Sequence, residues 1–300
     1  MNKTGLGTCV LPFPDYQTVM SLADKGKLLT SAGAAGIPVP DYRLFNKAAE
    51  VAVEEFTSFP VVLKPCLSRI WTGQGWINTS VTMINNREEL SRTLDRTDYL
   101  QRYPFMIQAF VPGHGAGLFA LYDSGQPVAY FSHRRIREKP PRGGVSVVSE
   151  SAPVDTQLQE YAEALLTRAN WHGVAMVEFR VTDRGLPYLM EVNTRFWGSL
   201  QLAIDAGVDF PRLLWEITAG QAIEPQSEYR IGQRLRWLLG DLDSLYLALK
   251  DRDYSARQKL ERLVGFLTPS FGHFRYEVNR WGDLKPAWFE LRQYVKDLVR

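Results

Sequence analysis

GVAMVEFRVTDRGLPYLMEVNTRFWGS, residues 173–199, is the stretch whose reading decides the fold. Residues 174–181 and 188–193 are short apolar-rich runs separated by Thr182, Asp183, Arg184 and Gly185, a cluster of turn formers, and they read as a β-hairpin. A loop at 183–186 sets Glu178 opposite Glu191 and Met176 opposite Asn193. Such facing acids lie about 5 Å apart at Cβ and repel by roughly 3 kcal/mol at an effective dielectric near 20. Something cationic is expected between them. Two carboxylates and an amide oxygen suit a hard divalent ion, and Mg²⁺ so held commonly bridges nucleotide phosphates. The alternative is an edge hairpin with both acids in solvent, and a three-residue loop would send them to opposite faces. The alternation favours the metal reading: Ala175, Val177, Phe179 and Val181 share an apolar face, Glu178 and Arg180 the other. Arg195, just past the second strand, adds a cation where phosphate oxygens would be expected.

Around this stretch, 300 residues of 45% hydrophobic content can bury a sizeable core. With 35 basic against 33 acidic residues, the balance argues against nucleic-acid or membrane binding. Cys9 and Cys66 make neither a disulfide framework nor a zinc pattern, which suits a reducing cytoplasm. No apolar run is long enough to span a bilayer, and the first residues lack the apolar core of a signal peptide.

Upstream, residues 15–36 read as helix, in two pieces meeting near Asp24, with Lys25 and Lys27 at the junction. A lysine on a helix surface is ordinarily solvated. Asn46 is placed to cap a helix through Phe56, and 59–64 reads as a buried strand ending at Lys64. A cation there, followed by 66–76 with Gly73 and Gly75, has the make-up of a phosphate contact beneath a mobile loop; a lysine snorkelling at a strand end is the competing reading. Residues 77–84 alternate like a strand, and 86–97 like a capped helix. A central strand is expected at 105–111, broken by Pro112 to Gly115, then strands at 118–122 and 126–133. Arg134, Arg135, Arg137, Lys139 and Arg142 form a short basic run, read as a solvated face or as phosphate ligands. Helices are expected from Asp155, at 199–206 and at 210–219. Residues 225–300 look helical, with Trp237, Trp281 and Trp288 as packing residues.

In this order, Lys25, Lys64, the loop with Gly73 and Gly75, the hinge Gln108-Ala109-Phe110-Val111, and Glu178 followed by Glu191, Asn193 and Arg195 resemble the ATP-grasp superfamily, over roughly residues 11–219. The likeness is nearest to carboxylate–amine ligases similar to half of the carbamoyl-phosphate synthetase large subunit. It implies an α+β fold of two α/β subdomains with ATP between them. The implied layout is a helical lead-in at 1–39, a small lid subdomain at 40–107, a large subdomain with the metal site at 108–224 and a mostly helical extension at 225–300.

By resemblance, Lys25 and Lys64 hold ATP phosphates under the 66–76 loop, and 108–111 pairs with adenine, Val111 donating its N–H. Glu178, Glu191 and Asn193 ligate Mg²⁺, which Mn²⁺ could replace. Arg195, with Lys64, stabilises charge on the transferring phosphoryl group, and Arg135 and Glu150 belong to the substrate side. The implied enzyme is cytoplasmic, joins a small-molecule carboxylate to an amine through an acyl-phosphate, and releases ADP and phosphate. Another ATP-grasp chemistry, such as a carboxylase or kinase-like phosphotransferase, and a non-catalytic nucleotide-binding subunit are the alternatives. Two departures stand out. The position where relatives carry a ribose-binding acid is Gly115, beside His114, and only 24 residues precede Lys25 where relatives have a Rossmann-like domain. A homodimer, or a partner subunit supplying that domain, is expected accordingly.

Overall fold

A computed structural model of the chain describes residues 9–141, 144–268 and 274–298; Arg142 of the basic run lies outside these residues. The chain divides into two compact units, one of residues 1–118, 122–127 and 156–195, the other of 119–121, 128–155 and 196–300.

In the first unit, two helices lead the chain: α1 (Tyr16–Ala23) and α2 (Lys25–Ala34). They join as expected at Asp24, whose side chain accepts from the N–H groups of Gly26 and Lys27 and so caps α2. The strands β1 (Tyr42–Phe45), β2 (Val61–Pro65), β5 (Thr82–Ile84) and β6 (Phe105–Ala109) form an antiparallel sheet in the order β1-β6-β2-β5. Its apolar face packs on α3 (Arg87–Arg96) through Phe45, Leu63, Ile84, Leu90, Phe105 and Ile107. The helix expected from Asn46 is instead two single 3₁₀ turns, Ala48–Glu50 and Val53–Glu55, without side-chain caps. The strand expected at 77–84 is broken into β4 (Trp76–Asn78) and β5, and β4 pairs with β3 (Arg69–Trp71) in a two-stranded ribbon of its own.

After β6, Gly113 takes φ +128°, and a Cβ there would collide with the Val181 carbonyl. Only glycine lets the chain pass so close to that strand. The break is shorter than expected, since β7 (His114–Asp123) begins at His114. β10 (Gly173–Val181) and β11 (Pro187–Asn193) are the hairpin, in the order β11-β10-β7, preceded by α4 (Thr156–Arg168).

The second unit contains β8 (Gln126–Lys139), β9 (Val145–Ala152), β12 (Arg234–Arg236) and β13 (Phe274–Tyr276), in that order across the sheet. Arg134, Arg135, Arg137 and Lys139 of the basic run lie on β8. α5 (Leu200–Ala206), α6 (Phe210–Thr218), α7 (Leu238–Lys250), α8 (Ala256–Leu267) and α9 (Lys285–Leu298) complete it. The terminal portion is helical as expected, except for β12 and β13. Trp281 and Trp288 are not packing residues: they are 94% and 69% exposed.

Candidate active site

Glu178 pairs with Glu191 and Met176 with Asn193, so the acids face each other. They do so through a compensation that spacing alone does not reveal. The turn sets Val181 opposite Pro187, and a bulge between Glu178 and Phe179 leaves Met190 as the extra residue that restores the register. Asn193 Nδ2 donates to Glu178 Oε1 and to Glu191 Oε1, each at 3.1 Å, so both carboxylates converge on one point. Lys25 Nζ lies 3.0 Å from Glu191 Oε2 and donates to Ser68 Oγ at 3.0 Å. Lys25 is thus a cation beside Glu191, 4% exposed rather than solvated, because α2 packs on β11 and Lys25 N–H is tied to the Cys66 carbonyl.

Lys64 reaches the same neighbourhood from β2, its Nζ 3.7 Å from Met190 Sδ. Burial, assisted by Lys25, lowers its pKa to about 8 against the pull of Glu191 and Glu178. Burial pushes Glu191 upward, but Lys25, Asn193 and Lys64 outweigh it and hold the carboxyl below its ordinary value. The two lysines and two acids balance one another in a partly desolvated site, which is the condition for binding a charged ligand without a large reorganisation.

The hinge lies at the end of β6. Ala109 N–H is held by Asp41, the Val111 carbonyl accepts from Arg180 Nε at 2.8 Å, and the Arg180 guanidinium sits over the Phe110 ring. Gln108 is buried; its Nε2 is 3.7 Å from Met190 Sδ and its Oε1 has no hydrogen-bond partner among the described residues. Gly73 and Gly75 form the turn of the β3–β4 ribbon, closed by Thr72 N–H on the Gly75 carbonyl and flanked by the Trp71–Trp76 pair at 5.2 Å. Arg195 is exposed at the end of the first unit.

Arg135 and Glu150 belong to the second unit. Glu150 is buried on β9, in register with Arg134 on β8 and Arg234 on β12, and ion-paired to both. Burial raises its pKa, and the two guanidiniums more than reverse that. Arg135 pairs with Glu138 at 3.1 Å. Sequence reasoning missed Ser68, Met190 and Arg234: a serine inside a lid loop and an arginine in a weakly patterned tail carry no local signal, and Met190 enters only because of the bulge.

Among the described residues no group of three or more His, Cys, Asp or Glu could hold a metal. The donor set here is different, two carboxylates and one amide. Turning the Asn193 amide about its last torsion would exchange Nδ2 for Oδ1 and offer three oxygens to one cation, so the residues fit Mg²⁺.

The chain has the ATP-grasp fold. Residues 102–240 match the family model described as ATP-grasp in the biosynthetic pathway with Ter operon. The chain is similar to an uncharacterized protein, y4rH, of Sinorhizobium fredii (28% identity over 215 residues, 65% of this chain and 42% of that one). It also resembles the D-alanine–D-alanine ligase of Aquifex aeolicus (24% over 218 residues, 68% of this chain and 72% of that one). Among solved structures, the L-amino acid ligase of Bacillus licheniformis superposes with a TM-score of 0.57 at 19% identity, over 77% of this chain and 56% of that one. The chain thus spans about half the length of two of these three relatives. Among the described residues no helix is long and apolar enough to cross a membrane.

Proposed function

We propose that the chain is an ATP-dependent ligase that activates a substrate carboxylate as an acyl-phosphate and joins it to an amine, releasing ADP and phosphate. The observation that carries the reading is the convergence of Lys25, Glu178, Glu191 and Asn193 within hydrogen-bonding distance, with Lys64 close by, in one compact unit. The likeness to two amino-acid ligases supports it.

In this reading Lys25 and Lys64 hold the phosphates, 108–111 receives the base, and the ribbon with Gly73 and Gly75 covers the triphosphate. Glu178, Glu191 and Asn193 hold Mg²⁺, which when bound neutralises phosphate charge and orients the γ-phosphoryl group. A substrate carboxylate oxygen attacks the γ-phosphorus, the bond to the β,γ-bridging oxygen breaks, and ADP departs. The amine nitrogen then attacks the acyl carbon, phosphate leaves with its oxygen, and the amine loses a proton. Such chemistry needs positioning and charge neutralisation more than a protein nucleophile. Arg195 serves the charge on the transferring group, and Arg135 and Glu150 the acid or amine. The ribbon excludes water from the acyl-phosphate, which hydrolyses readily.

The test is Mg²⁺-dependent ADP release across a panel of carboxylic acids with hydroxylamine as the amine. Hydroxamate from at least one acid supports the ligase. Acid-dependent ADP release with no hydroxamate from any acid overturns the acyl-phosphate route in favour of a carboxylase or phosphotransferase, and nucleotide binding without ADP release leaves a non-catalytic nucleotide-binding subunit.

A further inference from the structure

β6 reads Phe-Met-Ile-Gln-Ala, and Gln108 is its only polar residue. Leu63, Phe105 and Ile107 pack with α3, so the period of two turns Lys64, Met106 and Gln108 to the opposite side of the sheet. There Gln108 is 2% exposed, and its amide is almost unused. Nε2 lies 3.7 Å from Met190 Sδ, a weak acceptor, and Oε1 has no hydrogen-bond partner among the described residues. Buried amides are ordinarily satisfied, so one left with an open acceptor and only a thioether on its donor marks a place that a ligand completes. Lys64 Nζ is 3.7 Å from the same sulfur, which puts the ammonium and the amide nitrogen no more than twice that distance apart. The amide therefore stands beside the cation assigned to the phosphates, on the strand that leads into the hinge, within one compact unit.

We propose that Gln108, given the reading of 108–111 as the base site, selects the base of the bound nucleotide by pairing its amide with the N6 amine and N7 of adenine. A primary amide sets an acceptor beside a donor, and that edge of adenine sets a donor beside an acceptor, so the two fit at both points. Guanine and hypoxanthine carry an oxygen at position 6, and the same edge then offers two acceptors. Whichever way the amide turns, one acceptor of such a base faces Oε1 with no proton between them. Burial enlarges the difference, because water cannot replace the missing contact. The N6 amine carries two protons, so pairing with Gln108 on the N7 side leaves the other for the hinge backbone.

The experiment is isothermal titration calorimetry on the full chain with Mg²⁺, comparing ATP with two analogues. ITP has oxygen in place of the N6 amine, and 7-deaza-ATP has a C–H in place of N7. The wild-type chain should bind ATP at least about tenfold more tightly than either analogue. In Gln108→Leu, ATP should weaken to the level of 7-deaza-ATP, leaving those two within about threefold of each other. Gln108→Met, closer to glutamine in length, should do the same if leucine lowers the thermal midpoint. Tight binding of ATP and 7-deaza-ATP alike by the wild-type chain overturns the role of Gln108 and leaves the nucleotide site in place. A preference for ATP over 7-deaza-ATP that survives in the folded variants also overturns it, because the base is then read elsewhere. Equal weakening of all three nucleotides in the variants does so too, by moving the amide to the sugar or phosphates. Absence of binding by all three overturns the nucleotide site itself and this role with it.

Discussion

At the scale of single residues the site is a balance of two cations and two acids, and each charge can be removed in turn. Glu191→Gln takes away the carboxylate that Lys25 neutralises while keeping shape and hydrogen-bonding capacity. ADP release should fall by at least about 100-fold with the thermal midpoint little changed, and turnover at the wild-type rate would remove Glu191 from the site. Lys64 gives a pH dependence. Its pKa of about 8 lies below that of a free lysine, so it loses its proton as pH rises through that value, and kcat/KM for ATP should decline on the alkaline side. A profile flat to pH 9 would mean that Lys64 does not touch the phosphates.

Elements show what could and could not be read beforehand. The facing of Glu178 and Glu191 was legible, because turn formers and alternation mark a hairpin and a period of two leaves one choice of face. The bulge was not, since no residue type announces it and its effect is distributed between turn and strand. The junction of α1 and α2 was legible from the capping chemistry of Asp24, whereas the burial of Lys25 depends on α2 lying against β11, a contact between distant segments. The 3₁₀ turns after Asn46 and the Arg134–Glu150–Arg234 row across β8, β9 and β12 likewise come from tertiary pairing. Gly113 was visible as a strand breaker, but its close approach to Val181 was not. Gly113→Ala should therefore destabilise by on the order of 3 kcal/mol, read as a lowered urea midpoint at unchanged slope, where a mere loop glycine would cost less than about 1 kcal/mol.

For the whole molecule, the tail that resisted sequence reading builds β12, β13 and three helices of the second unit. It also contains a titrating group that acts on global stability. Burial, with Glu290 nearby, raises Glu277 to about 7 despite Arg280. The folded chain therefore binds more protons at this position than the unfolded chain between pH 4.5 and 7, so Glu277 favours folding at low pH and that contribution is lost as pH climbs through 7. Glu277→Gln should leave stability at pH 5 nearly unchanged and increase it at pH 8, measured by urea unfolding at both values. A variant equally destabilised at both would mean that Glu277 is held by contacts rather than opposed by burial.

The supernumerary residue of the hairpin, Met190, is not required for the pairing it interrupts. Deleting it would straighten β11 into an unbroken ladder in which the same two glutamates remain partners. What would disappear is the thioether lying against Lys64 and Gln108. The shortened chain should accordingly fold and still take up Mn²⁺, followed by the paramagnetic signal, while its grip on adenosine weakens; loss of both together would mean that the irregularity shapes the metal pair itself.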